Sequence, residues 1–172
     1  MMEKGYRLLN CNLWLDGANM QGVISEITPP KLTAKTEELY AGGMSAPIEL
    51  QMGLEALELS FSLNDMNVTV LENFGLYQSN EGLKVKITGG LRKDNNANDV
   101  KPFEINATGT VSEIDMGTLK PGELGSMSVT MKLDYYKLSI DKNVKVEIDP
   151  INMIQVINGQ DQLKNMRNAL GL

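Results

Sequence analysis

Two Glu-Ile-Asp tripeptides, Glu113-Ile114-Asp115 and Glu147-Ile148-Asp149, are the residues of this 172-residue chain best spaced for chemistry. In an extended segment each sets two carboxylates on one face, and such a pair can do acid–base work on sugars when one member has a raised pKa. Neither tripeptide is accompanied by aromatics or donors that would build a pocket, so both read as strand-end charges meeting solvent or another subunit. The run from Asp94 to Asp99 starts like a calcium loop, with Asp94, Asn96 and Asn98 at alternating positions. It then places Asp99 where the loop needs glycine and Ile105 where it needs a bidentate glutamate, and reads as a hairpin turn. Gly117 to Gly122 has the glycine spacing of a phosphate loop, but Glu123 stands in the lysine position, which leaves a surface loop.

Single residues offer no more. Cys11 lies on an apolar strand face with no base near it in sequence, and reads as a small buried hydrophobe. Trp14, alone on a polar face, reads as packing at an edge or interface. Arg92-Lys93, with Lys84 and Lys86, is the one basic cluster and reads as a solvated face or a protein contact. No catalytic residue, cofactor site or metal ligand is assigned.

Composition narrows the classes further. The chain has no histidine, which excludes Ser-His and Cys-His pairs and His-ligated metals, and its single cysteine excludes an internal disulfide. Sixteen basic against 22 acidic residues give a net charge of -6, the wrong sign for a protein that grips phosphates. Asn10 and Asn12 interrupt the apolar start far short of a signal-peptide core, and no run approaches the roughly 18 apolar residues of a membrane helix. The expectation is a soluble, cytoplasmically made chain without a membrane anchor. Its length suggests one domain, and 11 methionines with few aromatics suggest a core of aliphatic and thioether side chains.

The elements that must position these residues are mostly strands. Period-two alternation sets Leu9, Cys11, Leu13 and Leu15 on one face, before the Asp16-Gly17 turn. Gly22 to Thr28 is a second strand stopped by Pro29-Pro30, and Lys31 to Tyr40 a third, ending at Ala41-Gly42-Gly43. Ile48, Leu50 and Met52 alternate next, then Leu57, Leu59, Phe61 and Leu63. One helix is expected, capped by Asn64 or Asp65, with Met66, Val70 and Phe74 on one face and Gly75 at its end. Strands resume with Leu83, Val85 and Ile87, then Phe103 to Val111, then Met127, Val129, Met131, Leu133 and Tyr135, then Val144, Val146 and Ile148 up to Pro150. Asp161 to Leu170 suits a short terminal helix with Gly171 past its end. The class is therefore mainly β, a barrel or sandwich with one central α-helix and a short C-terminal one.

The faces opposite the apolar ones carry hydroxyls and amides, notably Ser60, Ser62, Asn106, Thr108, Thr110, Ser112, Ser128 and Thr130. Long strands ending in loops without ligand motifs leave edges that need partners, and self-association would cover them. At this point ordered blocks carry a resemblance. They are Asn12-Leu13-Trp14-Leu15-Asp16-Gly17, Thr28-Pro29-Pro30-Lys31-Leu32, Tyr40-Ala41-Gly42-Gly43-Met44, Ala46-Pro47 and Met52-Gly53-Leu54-Glu55-Ala56-Leu57. Glu113-Ile114-Asp115, Tyr135-Tyr136-Lys137-Leu138, Val146 to Asn152 and Asn158 to Leu172 continue the series. In this order the blocks resemble the major tail tube protein of contractile-tailed phages and the tube protein of R-type pyocins. Asn64 to Lys101 matches least.

The resemblance implies a structural protein and not an enzyme. Hexameric rings would stack helically into a tube inside a contractile sheath, with strands joining those of neighbouring copies around the lumen. Expected partners are further copies of the chain, the tail sheath, tape-measure, baseplate and tail-terminator proteins, with DNA as passing cargo. The expected location is a virion tail or bacteriocin particle assembled in the bacterial cytoplasm. On this reading the whole chain, residues 1–172, is a tail-tube domain. The Lys31 to Met52 hairpin, with Tyr40, Gly42, Gly43, Met44 and Pro47, is a candidate for ring-to-ring contact. The segment 161–172, with Asp161, Leu163, Met166, Arg167 and Leu172, is a second candidate contact. Ser60, Ser62, Thr108, Thr110, Ser128 and Thr130 are candidates to face a hydrated lumen. Two other classes stay open: a tube protein of a type VI secretion system, and a monomeric carbohydrate-binding β-sandwich.

Overall fold

The structure, a computed structural model, describes residues 5–74 and 82–172. It is mainly β, as the alternation requires. In chain order the elements are β1 (Tyr6–Leu15), β2 (Ala18–Asn19), β3 (Ile24–Thr28), β4 (Ala34–Leu39), β5 (Ile48–Leu54), β6 (Glu58–Leu63) and α1 (Val68–Glu72). They continue with β7 (Leu83–Lys93), β8 (Asn96–Asp115), β9 (Met127–Ile140), β10 (Asn143–Asp149), β11 (Ile154–Ile157), β12 (Gln160–Asp161) and α2 (Lys164–Leu170).

The main ladder runs β12-β11-β10-β9-β8-β7-β1-β2, all antiparallel. A branch leaves β9, whose first half pairs with β6, which pairs in turn with β3. Three strands, β9, β8 and β7, separate β6 from β1, yet Leu59 and Phe61 belong to the same buried cluster as Leu13 and Leu15. The sheet must therefore curl over its own apolar face. Among the described residues it does not close into a barrel, because neither β3 nor β2 pairs on its outer side.

The curl has a visible corner. Thr108 pairs with Tyr135 but Gly109 pairs with Leu133, so Asp134 is an extra residue that bends β9. Gly109 sits opposite, where a Cβ would meet the Lys132 carbonyl oxygen and lie 2.8 Å from Leu133 Cα. Only glycine allows that approach. The bulge also flips the pleat, so the buried tyrosine is Tyr136 and not Tyr135, which turns to the other face half-buried.

The same device corrects other expectations. Leu9 is an extra residue between the Leu8–Leu91 and Asn10–Gly90 pairs, so it leaves the Leu13–Leu15 face and stays exposed. β3 begins at Ile24 and β4 at Ala34, each later than the sequence pattern suggests. The central helix is shorter than expected. Asn67, not Asn64 or Asp65, caps it, its side chain accepting from Val70 N at 3.2 Å. Only Val70 enters the core, while Met66 precedes the helix and Phe74 follows it, both exposed. Gly75 lies outside the described residues. The terminal helix forms but starts at Lys164, not Asp161, because Asp161 belongs to β12, and Gly171 in the left-handed region at φ 76° closes it as expected.

Candidate functional site

The candidate functional residues fall on three surfaces. The first is the β4–β5 hairpin, a two-stranded sheet separate from the main ladder, all of it exposed but for half-buried Leu54. Its pairing sorts the side chains. Leu39 with Ile48 and Glu37 with Leu50 share one face, while Thr36 with Gln51 and Glu38 with Glu49 share the other. The alternation expected through Met52 is broken there, because Met52 is an extra residue between Gln51 and Gly53. Tyr40 and Pro47 are exposed at the tip, and Gly43 takes φ 88°, a left-handed angle that suits glycine. Met44 folds back, its sulfur accepting from Ala41 N at 3.3 Å. A lone hairpin with one apolar face is marginal in water.

The second surface is the non-core face of β3, β6, β9 and β8 before the corner. Register arranges it in rows: Thr110–Lys132–Glu58, then Glu113–Thr130–Ser60–Thr28, then Asp115–Ser128–Ser62–Glu26. Five of the six candidate lumen residues come together here, and Thr108 does not, because it lies past the corner beside Lys84 and Tyr135. Ser60 and Thr130 hydroxyls are 3.4 Å apart and those of Ser62 and Ser128 are 3.2 Å apart, so they satisfy one another across strands. The face carries Glu26, Glu58, Glu113 and Asp115 against Lys132 alone, a balance of four acidic minus one basic, or -3. Lys132 pairs with Glu58. The first Glu-Ile-Asp tripeptide thus supplies charge to a broad polar face.

The third surface is the C-terminal segment. Arg167 holds α2 down by donating to Asp161 Oδ2 at 2.7 Å and to the Met153 carbonyl at 2.9 Å. Asp161 also accepts from Leu163 N. No residue of α2 is buried, and Met166, Leu170 and Leu172 face solvent. Leu163 lines a groove of about 460 Å³ with Leu54, Leu57, Ile148 and Ile151, so the root of the hairpin and the start of α2 share one apolar hollow. The sequence pointed to Asp161 and Arg167 separately but not to the clamp they form, nor to the β11–β12 hairpin that places Asp161. The Asn158-Gly159 turn, with φ 49° and 80°, was the available signal.

The clamp has a defined pH sense. The Arg167 guanidinium holds the Asp161 carboxyl below its ordinary value of 3.8. A depressed folded value means the stabilisation is present above the unfolded value and is lost as pH falls through the lower, folded one. Arg167→Ala should therefore speed amide exchange in α2 at neutral pH by about tenfold, leaving β-core protection unchanged, and the wild-type helix should loosen only below the ordinary carboxylate range. Unchanged α2 exchange in the variant would reject the clamp.

The remaining chemical candidates are used locally. Asp94 pairs with Arg7 at 3.0 Å and Asp99 accepts from Tyr6 at 2.9 Å, so the calcium-like run closes a β7–β8 turn onto β1. Tyr135 donates to Glu147 at 2.8 Å, and burial, then this bond, push its phenol up to about 12. Asp149 accepts from Asn152 N and Nδ2. A hydrogen bond from Asn106 holds the Glu104 carboxyl below the usual range, helped by Lys86 and opposed by burial. Cys11 is half-buried.

Comparison with known proteins points one way. A family profile described as phage tail tube protein FII matches residues 6–171. The tail tube protein of Escherichia phage P2 is 33% identical over 163 residues, covering 94% of each chain. The major tail tube protein of Serratia phage KSP20 is 29% identical over 166 residues, covering 93% of this chain and 92% of the relative. In fold, the chain is similar to one in a cryo-EM sheath–tube complex of the PVC extracellular contractile injection system, with TM-score 0.55 and 9% identity over 76% of this chain and 88% of the other. A second, from the sheath/tube terminator of that system, gives TM-score 0.57 and 7% identity over 81% and 99%.

Proposed function

The chain belongs to the phage tail tube protein FII family, and from that membership we propose that it builds the inner tube of a contractile phage tail or of a headless phage-tail-like particle. It acts as a structural subunit and not as an enzyme. Hexameric rings stack helically, the hairpin and the C-terminal segment make contacts between copies, and a sheath encloses the tube. Tape-measure, baseplate and terminator proteins and passing DNA are its remaining partners, within a virion tail or bacteriocin particle assembled in the bacterial cytoplasm. The whole chain serves as one tail-tube domain.

One observation carries this reading: the four-stranded sheet β3-β6-β9-β8 has two open edges and a wet, acidic outer face. β3 pairs only with β6, and Glu113 to Asp115 of β8 have strand partners on the β9 side only, among the described residues. Neighbouring strands alternate in direction, so an even number ends on opposite directions. The β3 of a second copy can then lie antiparallel beside β8, and repetition closes a ring while satisfying both edges. The -3 face, turned inward and repeated in every copy, repels or releases a polyanion instead of gripping it. Negative-stain microscopy of the purified chain tests the proposal. Tubes or hexagonal rings are expected, and a dispersed monomer at high concentration would overturn it.

A further inference from the structure

Apolar side chains stand uncovered at both ends of the β3-β6-β9-β8 sheet. The hairpin is rooted at one end, because β5 leads through residues 55–57 into β6 at Glu58, which pairs with Lys132. Leu39, Tyr40, Ile48 and Leu50 of the hairpin are exposed. At the other end Leu63 pairs with Met127, and beyond that pair lie α1 and the 116–126 loop joining β8 to β9. Phe74 bridges to Val111, which ties the end of α1 to the strand that runs into the loop. Of α1, only Val70 is buried. Met66, Val68 and Phe74 around the helix, and Met116, Leu119 and Leu124 in the loop, are all exposed, Leu124 by 91%. The six residues of β6 hold the two ends about 17 Å apart. Exposed apolar patches of this extent mark interaction sites.

We propose that the apolar face of the β4–β5 hairpin of one copy docks on the end formed by α1 and the 116–126 loop of a second copy. The inference rests on the tube reading, in which the hairpin reaches another subunit, and names the surface that receives it. Position favours a second copy of this chain over any other occupant. Each copy carries the docking hairpin at one end of the sheet and the receiving surface at the other, so every contact leaves one free hairpin and one free receiving end. Such a head-to-tail contact adds copies without limit along one axis, whereas hairpin-to-hairpin contact would stop at a pair. The area agrees. At about 200 Å² for a fully exposed large apolar side chain, the exposed parts of these ten side chains amount to roughly 1,100 Å², just above the about 1,000 Å² that a specific interface must clear. Charge permits the contact as well: Glu38 and Glu49 face each other on the opposite side of the hairpin and stay in water. Glu37, on the docking side, lies farther from the tip than Leu39, at the rim of the contact.

Paired surface variants of the full chain test the docking. Leu119→Ser with Leu124→Ser should raise the concentration needed for tube formation by about 100-fold, the same rise expected of Leu39→Ser, Ile48→Ser and Leu50→Ser together. All five changes combined should add no more than about tenfold to that, because both sets remove one contact, whereas independent surfaces would multiply to about 10,000-fold. Circular dichroism and thermal melting check that each monomer is folded. Leu124→Ser alone repeats the test at a side chain with little packing to lose, and should raise the concentration by about tenfold. Tubes at wild-type concentration from the loop variants, or a multiplied effect of all five changes, would overturn the docking and leave the tube reading standing. A wild-type chain that never assembles would overturn the tube reading and this inference with it.

Discussion

Replacing Gly109 with alanine is expected to lower the thermal midpoint by roughly 6–12 °C, the largest effect of a methyl added at any of the described glycines. The new Cβ would meet the Lys132 carbonyl oxygen and Leu133 Cα, which are backbone atoms that no rotamer change can move aside. Overpacking of this kind costs about 3 kcal/mol at the upper end of its usual range, and a domain of this size loses about 2–4 °C per kcal/mol. The corner also holds the hydroxyl face of β6 and β9 in its relation to β1 and β7, so the variant should lose assembly along with stability. Gly43→Ala is the control: it carries the strain of φ 88°, but nothing lies within 4 Å of its added methyl. A Gly109→Ala midpoint within about 2 °C of wild type, followed by circular dichroism, would refute the corner.

Serine at Leu39, Ile48 and Leu50 together is expected to raise the concentration needed for tubes by about 100-fold while the β core, to which none of the three belongs, stays folded. These side chains are 44%, 48% and 42% exposed, so nearly half of each is left for a neighbouring copy to cover. Full burial of such a side chain contributes about 1.5–3 kcal/mol, and covering the exposed part of three adds roughly 2–4 kcal/mol per copy. At 1.4 kcal/mol per decade, the concentration needed for assembly should rise by about 100-fold. Sedimentation across a concentration series measures it. Unchanged assembly would show that the apolar face of the hairpin is not buried between copies.

The two experiments probe different kinds of information. The hairpin's alternation was legible because Ile48 and Leu50 are spaced by two with Glu49 between them, and a pleated strand must then separate them. The corner was not legible. Gly109 continues an ordinary alternation from Ile105 to Val111, and its need for glycine arises only from Lys132 and Leu133 on the opposite strand. The central helix shows the same limit at smaller scale. Asn64, Asp65 and Asn67 are all competent caps, and the choice of Asn67 follows where β6 ends and how Val70 reaches the core.

By itself the amino-acid sequence determined the mainly-β class, the faces of β6, β7 and most of β9, the terminal helix and its glycine cap, and membership of a tail tube family. All of these depend on local spacing or on ordered blocks of residues. Tertiary structure alone decided where strands slip by one residue, which tyrosine is buried, that Thr108 lies past the corner from the other hydroxyls, that Arg167 clamps Asp161, and that Glu38 faces Glu49. Each of these is a relation between distant segments, set by register, and a slip of one residue turns every following side chain to the other face.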